Sequence, residues 1–162
     1  MDIKSDWNST IRRHFSKSFN SSLHVSIASV DADNNPTVTP IGSLFLNKDQ
    51  SGFYFEKFPT KIPVNINSNT NVCVLAVNSS KWFWIRSLFK EKFTNSPAIK
   101  LYGKLGDKRK ATEDENRALE RRMRSTNMLK GHKYLWGKMD SVREITFSKA
   151  EKVNLGKMTT KI

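Results

Sequence analysis

Val38-Thr39-Pro40-Ile41-Gly42-Ser43-Leu44-Phe45-Leu46 is a β-rich run broken by a proline and a glycine, and Phe58-Pro59-Thr60-Lys61 follows it at the start of a short helix. Proline cannot donate to a sheet ladder and glycine has no side chain to pack, so the first run leaves backbone open to something other than a neighbouring strand. Thr39 and Ser43 place hydroxyls beside that opening, where they would meet the polar edge of a heterocycle while Pro40 or Ile41 packs on its face. Thr60 and Lys61 offer a hydroxyl, an ammonium and helix N–H groups, the parts that hold a phosphate, with Lys57 close by. A ring seat and a phosphate seat on adjacent elements point to a phosphorylated aromatic cofactor. Each run also has a plain structural alternative: a β-bulge that bends a barrel strand for the first, and an ordinary N-cap followed by a solvated lysine for the second.

No catalytic constellation accompanies these seats. His14, His24 and His132 fall on a helix, at a strand start and in a loop, without metal-ligand spacing, so no metal site is expected. There is no nucleophile elbow and no carboxylate pair, and no strand–glycine loop–helix unit of the Rossmann type. Any difficult chemistry would belong to the cofactor, with the protein positioning it.

The elements that must position these residues can be read along the chain. Trp7, Ile11, Phe15 and Phe19 recur every four residues behind Ser5 and Asp6, which predicts an opening amphipathic helix with a core-facing aromatic stripe. Leu23 to Val30 and Thr37 to Leu46 read as strands joined by the turn residues Asp31-Ala32-Asp33-Asn34-Asn35-Pro36, a hairpin signal, and Phe53 to Glu56 adds a third strand to an antiparallel meander. A short helix follows from Thr60 to about Ser68, with Pro63 in its first turn. Val72 to Val77 is an apolar strand for a sheet interior. Ser79 and Ser80 precede a helix carrying Trp82, Ile85, Leu88 or Phe89, and Phe93, although Trp82-Phe83-Trp84-Ile85 alone would also suit a strand.

Pro97 to Leu105 is strand-like, and Thr112-Glu113-Asp114-Glu115 is a capping box for a helix with Arg121, Arg122 and Arg124 toward its far end, where a solvated cluster complements the dipole. Val142 to Phe147 and Glu151 to Leu155 read as two closing strands. The fold class this implies is mainly β with peripheral α: a small antiparallel barrel of six to seven strands decorated by helices.

The 162 residues suit one domain, 1–162, with a core large enough to need no staples. The single cysteine, Cys73, allows no internal disulfide and reads as a small buried apolar residue. Without an apolar signal core or a run of roughly 18 to 20 apolar residues, a cytoplasmic protein with no membrane partner is expected. The 28 basic and 15 acidic residues give a net charge of +13, which favours phosphate-bearing ligands. Because basic residues are scattered through most of the chain, they read as a solvated surface, with a barrel binding nucleic acid or another polyanion as the alternative.

The order of helix, Leu-His-Val-Ser-Ile-Ala-Ser-Val-Asp hairpin, Thr-Val-Thr-Pro-Ile-Gly-Ser strand, Phe-Tyr-Phe strand and Thr-Lys helix resembles the FMN-binding split-barrel proteins of the pyridoxamine 5′-phosphate oxidase family. The likeness continues through Asn71 to Val77, Lys100 to Lys104 and Trp136-Gly137…Arg143-Glu144-Ile145-Thr146-Phe147. The resemblance implies an obligate homodimer with FMN at the subunit interface. It places Pro40, Ile41, Gly42 and Ser43 along the isoalloxazine and Lys57, Thr60 and Lys61 at the phosphate, with Trp136 and Arg143 offered across the interface. It also implies flavin-dependent oxidoreductase chemistry on a small molecule, with haem or a deazaflavin as other occupants of the same slot. True oxidases of the family carry an Arg-Leu-His-Asp-Arg-like segment that grips their substrate, whereas this chain has Val153-Asn154-Leu155-Gly156-Lys157. Vitamin B6 oxidation is therefore not expected. The Trp82-Phe83-Trp84 segment and the Thr112 to Arg124 helix also depart from the oxidase pattern.

Overall fold

Apolar residues at every second position build the strands, and the aromatic stripe near the start supplies the plug that fills their concave side. The computed structural model describes residues 1–126, 128–137, 139–160 and 162. The chain opens with α1 (Ile3–Asp6), a π-helical turn (Trp7–Ile11) and α2 (Arg12–Ser22), which run on as one helical segment. Strands β1 (Val25–Val30), β2 (Pro36–Ile41), β3 (Leu44–Leu46) and β4 (Ser51–Phe55) follow, then α3 (Lys61–Asn65) and β5 (Asn71–Val77). The remainder comprises α4 (Lys81–Phe89), β6 (Ala98–Lys110), α5 (Glu113–Met123), α6 (His132–Trp136) and β7 (Ser141–Lys152).

All strand pairs are antiparallel, in the order β2-β1-β5-β6-β7-β4-β3. β2 and β3 therefore end opposite edges of the sheet, yet only Gly42 and Ser43 separate them in the chain. The three Cα steps from Ile41 to Leu44 can span no more than about 11 Å, so the sheet must curl until its two edges meet at this corner. No ladder joins β2 to β3, and the barrel is split there. The predicted single strand from Thr37 to Leu46 is thus two strands at a corner. The Ser43 hydroxyl spans the break by donating to the Phe55 carbonyl and accepting from the Phe55 N–H, each at 3.2 Å, which extends the β3–β4 ladder by one position.

One face of the curled sheet closes over Trp7, Ile11 and Phe15, which pack with Ile27, Val74, Leu101 and Ile145 in the larger core. Polar side chains on the same helical segment are satisfied by carbonyls of β5 and of the turn after β3. The Trp7 indole donates to Asn47 O at 2.8 Å, the His14 Nε2 meets Ala76 O at 2.9 Å, and the Ser18 hydroxyl donates to Val77 O at 2.6 Å. A second core lies outside the sheet, where α5 sets Leu119 and Met123 against Phe53, Phe55, Val142 and Met139. β4 is buried on both sides for this reason, with Tyr54 turned to the first core and Phe53 and Phe55 to the second.

The predicted capping box forms: Thr112 Oγ1 accepts from Glu115 N at 3.2 Å and Glu115 Oε2 accepts from Thr112 N at 2.8 Å. Arg109 grips the same glutamate with two nitrogens, at 2.9 and 2.7 Å, and reaches Glu144 at 2.6 Å, fastening α5 to β6 and β7. The arginine cluster at the far end of α5 departs from the solvated reading at one position. Arg121 and Arg124 are exposed, but the Arg122 guanidinium lies 3.4 Å from the centre of the Phe45 ring and 4.5 Å from that of Phe19, and donates to Leu44 O. Burial pushes its pKa down to about 10.

The two closing strands expected from Val142 to Leu155 are instead one, β7, which ends at Lys152. β6 likewise runs on to Lys110, because its exposed basic residues still pair with β7, as in Lys108↔Arg143 and Arg109↔Val142. The predicted hairpin turn is present: the Asp31 carboxylate accepts from Asp33 N at 3.0 Å and Asn35 N at 2.8 Å, and Asn34 takes the left-handed conformation at φ 65°. Cys73 on β5 is half-buried and burial raises its thiol pKa, as expected for a packing residue.

Candidate functional site

The corner at Gly42 and the segment after β4 face one another across a cleft of about 290 Å³. β2 and the corner contribute Thr39, Pro40, Ile41, Gly42 and Ser43, and the other wall carries Phe55, Phe58, Pro59, Thr60 and Lys61. Trp136 and Met139 complete the lining. Eight of the ten residues singled out from the sequence therefore come together. The volume sits at the low end of small-molecule sites, roughly 300 Å³, and suits one ring system. A second cleft of about 740 Å³ meets the first at Thr60 and Lys61 and extends past Asp31, Asp33 and Asn67.

Trp136 reaches the cleft on α6 of the same chain. A Cβ built on Gly42 would stand 2.8 Å from the end of its indole and 3.2 Å from Leu23 O, so this close seat requires a residue without a side chain. Lys57 controls how α6 is held. Its ammonium donates to Tyr134 O at 3.1 Å and Gly137 O at 2.7 Å, and Phe58 packs on Tyr134 with ring centres 5.8 Å apart. The expected phosphate ligand Lys57 is thus engaged with helix-end carbonyls, where a cation complements the dipole.

Arg143 also lies outside the cleft. It is buried, with Nη2 2.8 Å from Glu56 Oε1, Nε on Glu56 Oε2 and Nη1 3.0 Å from Gly106 O. Tyr54 donates to the same carboxylate at 2.7 Å and Lys108 stands 3.5 Å from it. Burial alone would raise the Glu56 pKa, but the Arg143 and Tyr54 hydrogen bonds outweigh that effect and hold it below the ordinary carboxylate range. Arg143 serves this buried network, and both its faces toward charge are occupied by it.

Ser43 is buried and its hydroxyl is committed to Phe55, which leaves Thr39 and Thr60 as the hydroxyls of the lining without a side-chain bond among the described residues. Thr60 precedes α3 but its side chain does not cap the helix. α3 has only five residues, so its dipole is small and the anion-binding capacity rests on the Thr60 hydroxyl and the exposed Lys61 ammonium. Across the second cleft, the Asn35 backbone N–H, with help from Lys61, keeps the Asp31 carboxyl below its usual range. An anion is therefore better placed on the ring-cleft side of Lys61 than on the Asp31 side.

Lys61 is the one ionisable side chain among the described residues of the ring cleft. The site can bind a planar body with an anionic tail, and its described residues include no acid–base pair. Phe55 and Met139 are lining residues that the sequence reading missed. Phe55 carries the strand pattern of any core residue, and Met139 stands in a segment without periodicity.

No family model matches the chain, and no curated protein matches it. Solved structures do. An FMN-binding protein from Syntrophomonas wolfei superposes with a TM-score of 0.60 at 14% identity, over 96% of this chain and 97% of that one. The chain has the FMN-binding split-barrel fold. HutZ, the haem storage protein from Vibrio cholerae, shares it with a TM-score of 0.53 at 11% identity over 86% of this chain and 92% of its own. An F420 reductase does so with a TM-score of 0.55 at 10% identity, over 86% and 97%. The resemblance to pyridoxamine 5′-phosphate oxidase-like split barrels thus holds for the architecture, and the proteins that share this split barrel differ in what they carry.

Proposed function

We propose that this split barrel binds FMN, with the isoalloxazine against Pro40, Ile41 and Gly42 and the phosphate on Thr60 and Lys61, and serves as a flavin-dependent oxidoreductase for a small molecule. The observation that carries this reading is the pairing of an apolar, ring-sized cleft with one lysine and one threonine at its mouth. Bound flavin supplies hydride and single-electron transfer. The chain's own groups bind and orient. Gly42 lets the Trp136 indole close against the backbone, Trp136 and Phe58 exclude water from the ring, Thr39 meets its polar edge, and Lys61 neutralises the phosphate charge.

Haem fits the lining less well. Axial ligation draws on histidine, cysteine, methionine or tyrosine, and among the described lining residues only the Met139 thioether qualifies. A deazaflavin carries a similar tricycle and a phosphate-bearing tail, and remains the closest competitor. Vitamin B6 oxidation is disfavoured because Val153 to Lys157 holds neither the arginine nor the histidine of the oxidase segment.

A homodimer belongs to the same proposal. Val38, Phe58 and Val64, near the cleft on β2, after β4 and on α3, are 67%, 46% and 63% exposed, and a second copy laid over this region would cover them and deepen the site. The test is reconstitution of purified protein with FMN, haem and F420 in parallel, read by absorption. FMN retention through gel filtration with a flavin band near one equivalent per chain supports the reading. Retention of haem or F420 with FMN excluded overturns it.

A further inference from the structure

α4 is apolar nearly all the way round, but this chain buries only one side of it. Phe83, Trp84 and Ser87 face inward: Phe93 packs against Phe83 and Trp84 with ring centres 5.4 and 5.2 Å apart, and the Trp84 indole donates to Asn78 O at 2.7 Å. Phe93 is itself fixed by its N–H to Met158 O at 2.9 Å, so the inner face is anchored. The outer face holds Trp82, Ile85, Leu88 and Phe89, which are 81%, 44%, 61% and 87% exposed. Their spacing of three, four and seven residues makes them one continuous strip. A helix that is hydrophobic on every side normally has an apolar medium on every side. Scattered exposed apolar residues need no partner, but four large ones in a row, one of them tryptophan, do.

The charges beside the strip select the partner. At 100° per residue, Arg86 and Lys90 follow one flank of it, Lys81 stands at its N-terminal end in line with Ile85 and Leu88, and Lys92 lies just beyond the helix. All four are exposed, and among the described residues none has a carboxylate within ion-pair distance. Glu91 is the only acidic residue between positions 81 and 96. A second copy packed through this face would bring the same basic rim against this one, so self-association through α4 is electrostatically opposed. A convex aromatic strip bordered by basic residues matches the headgroup boundary of an anionic bilayer, where tryptophan is favoured and nearby cations are attracted to the surface charge.

We infer that α4 seats the protein on anionic membrane surfaces, lying in the plane of the interface with the Trp82–Phe89 strip in the acyl boundary and the flanking cations on lipid phosphates. This is surface attachment: no helix among the described residues is long and apolar enough to cross a membrane. The attachment does not depend on what occupies the ring cleft.

The test is co-sedimentation of the full chain with vesicles of phosphatidylcholine alone and of phosphatidylcholine with phosphatidylglycerol, with tryptophan emission recorded. Wild-type protein sediments with the phosphatidylglycerol vesicles, more weakly at high salt, and its emission shifts to the blue. Trp82→Ser/Phe89→Ser lowers the partition coefficient at least tenfold, and Arg86→Glu/Lys90→Glu abolishes the preference for phosphatidylglycerol. Both variants change only exposed side chains, and their melting and FMN titration stay at the wild-type values. Three results would overturn the inference: no sedimentation of wild type with anionic vesicles, equal partitioning of Trp82→Ser/Phe89→Ser, or a lipid-free dimer that the same double variant converts to monomer.

Discussion

The end of the Trp136 indole stands where a methyl group on residue 42 would have to go, 2.8 Å from an ideal Cβ. The width of the ring cleft is therefore set by one residue without a side chain and one very large residue opposite it. Gly42→Ala requires the tip of the indole to move and the Leu23 carbonyl, 3.2 Å from the same Cβ, to give by a few tenths of an ångström. The expected outcome is an altered tryptophan emission spectrum, a melting temperature within a few degrees of wild type and at least tenfold weaker flavin binding. Stoichiometric flavin uptake by Gly42→Val would show that the ring sits elsewhere.

Lys57 and Lys61 separate positioning from binding. Lys57 holds α6 through Tyr134 O and Gly137 O, whereas Lys61 stands at the mouth of the cleft. Lys57→Met should weaken FMN and riboflavin by the same factor, since both need Trp136 in place. Lys61→Ala should spare riboflavin and weaken FMN by about 10- to 100-fold, the value of one charge-assisted hydrogen bond of about 1.5–3 kcal/mol. Paired titrations with the two ligands distinguish the roles, and equal losses in both variants would contradict this division.

Among the described residues, removing Arg143 leaves the Glu56 carboxylate buried beside Tyr54 with the Lys108 ammonium, at 3.5 Å, as its remaining cation. Arg143→Met should cost about 3–5 kcal/mol in urea unfolding, because an uncompensated buried charge is costlier than no charge. Arg143→Met/Glu56→Gln should recover a large part of that loss. A single variant as stable as wild type would mean that the network contributes nothing net.

Acid should destabilise the fold in two stages. Burial holds the His14 pKa below 6.5, so the unfolded chain takes up the proton first and stability falls as the pH drops below about 6.5. The pKa of Glu56 is lowered by Arg143 and Tyr54 against burial, and that of Glu115 chiefly by Arg109. Their contribution is complete above about 4.5 and is lost as the pH falls through their folded values. Urea midpoints measured from pH 8 to 3.5 should show both declines, and His14→Gln should flatten the upper one. A midpoint independent of pH down to 4 would refute the assignment.

The fold was legible wherever one residue type carries its own structural instruction. The four-residue aromatic stripe, the Asp31 to Pro36 turn and the Thr112–Glu115 capping box act locally, and each formed as read. Strand ends were harder: exposed lysines in β6 and the polar centre of β7 look like loop until a neighbouring strand supplies the ladder. The cleft was traced through Pro40, Gly42, Thr60 and Lys61 because proline and glycine mark backbone that no strand claims. Lys57, Ser43 and Arg143 could not be resolved in the same way. Whether a cation or hydroxyl is available depends on distant partners, Gly137 O, Phe55 and Glu56, that nothing in the local sequence announces.

Calorimetric titration of FMN and riboflavin into wild type and Lys61→Ala decides whether the Lys61 ammonium holds a phosphate at the mouth of the ring cleft. Wild type should bind FMN with micromolar or tighter affinity and riboflavin more weakly, and Lys61→Ala should lose that difference. Wild type that ignores FMN, or that binds FMN and riboflavin equally well, would contradict that role.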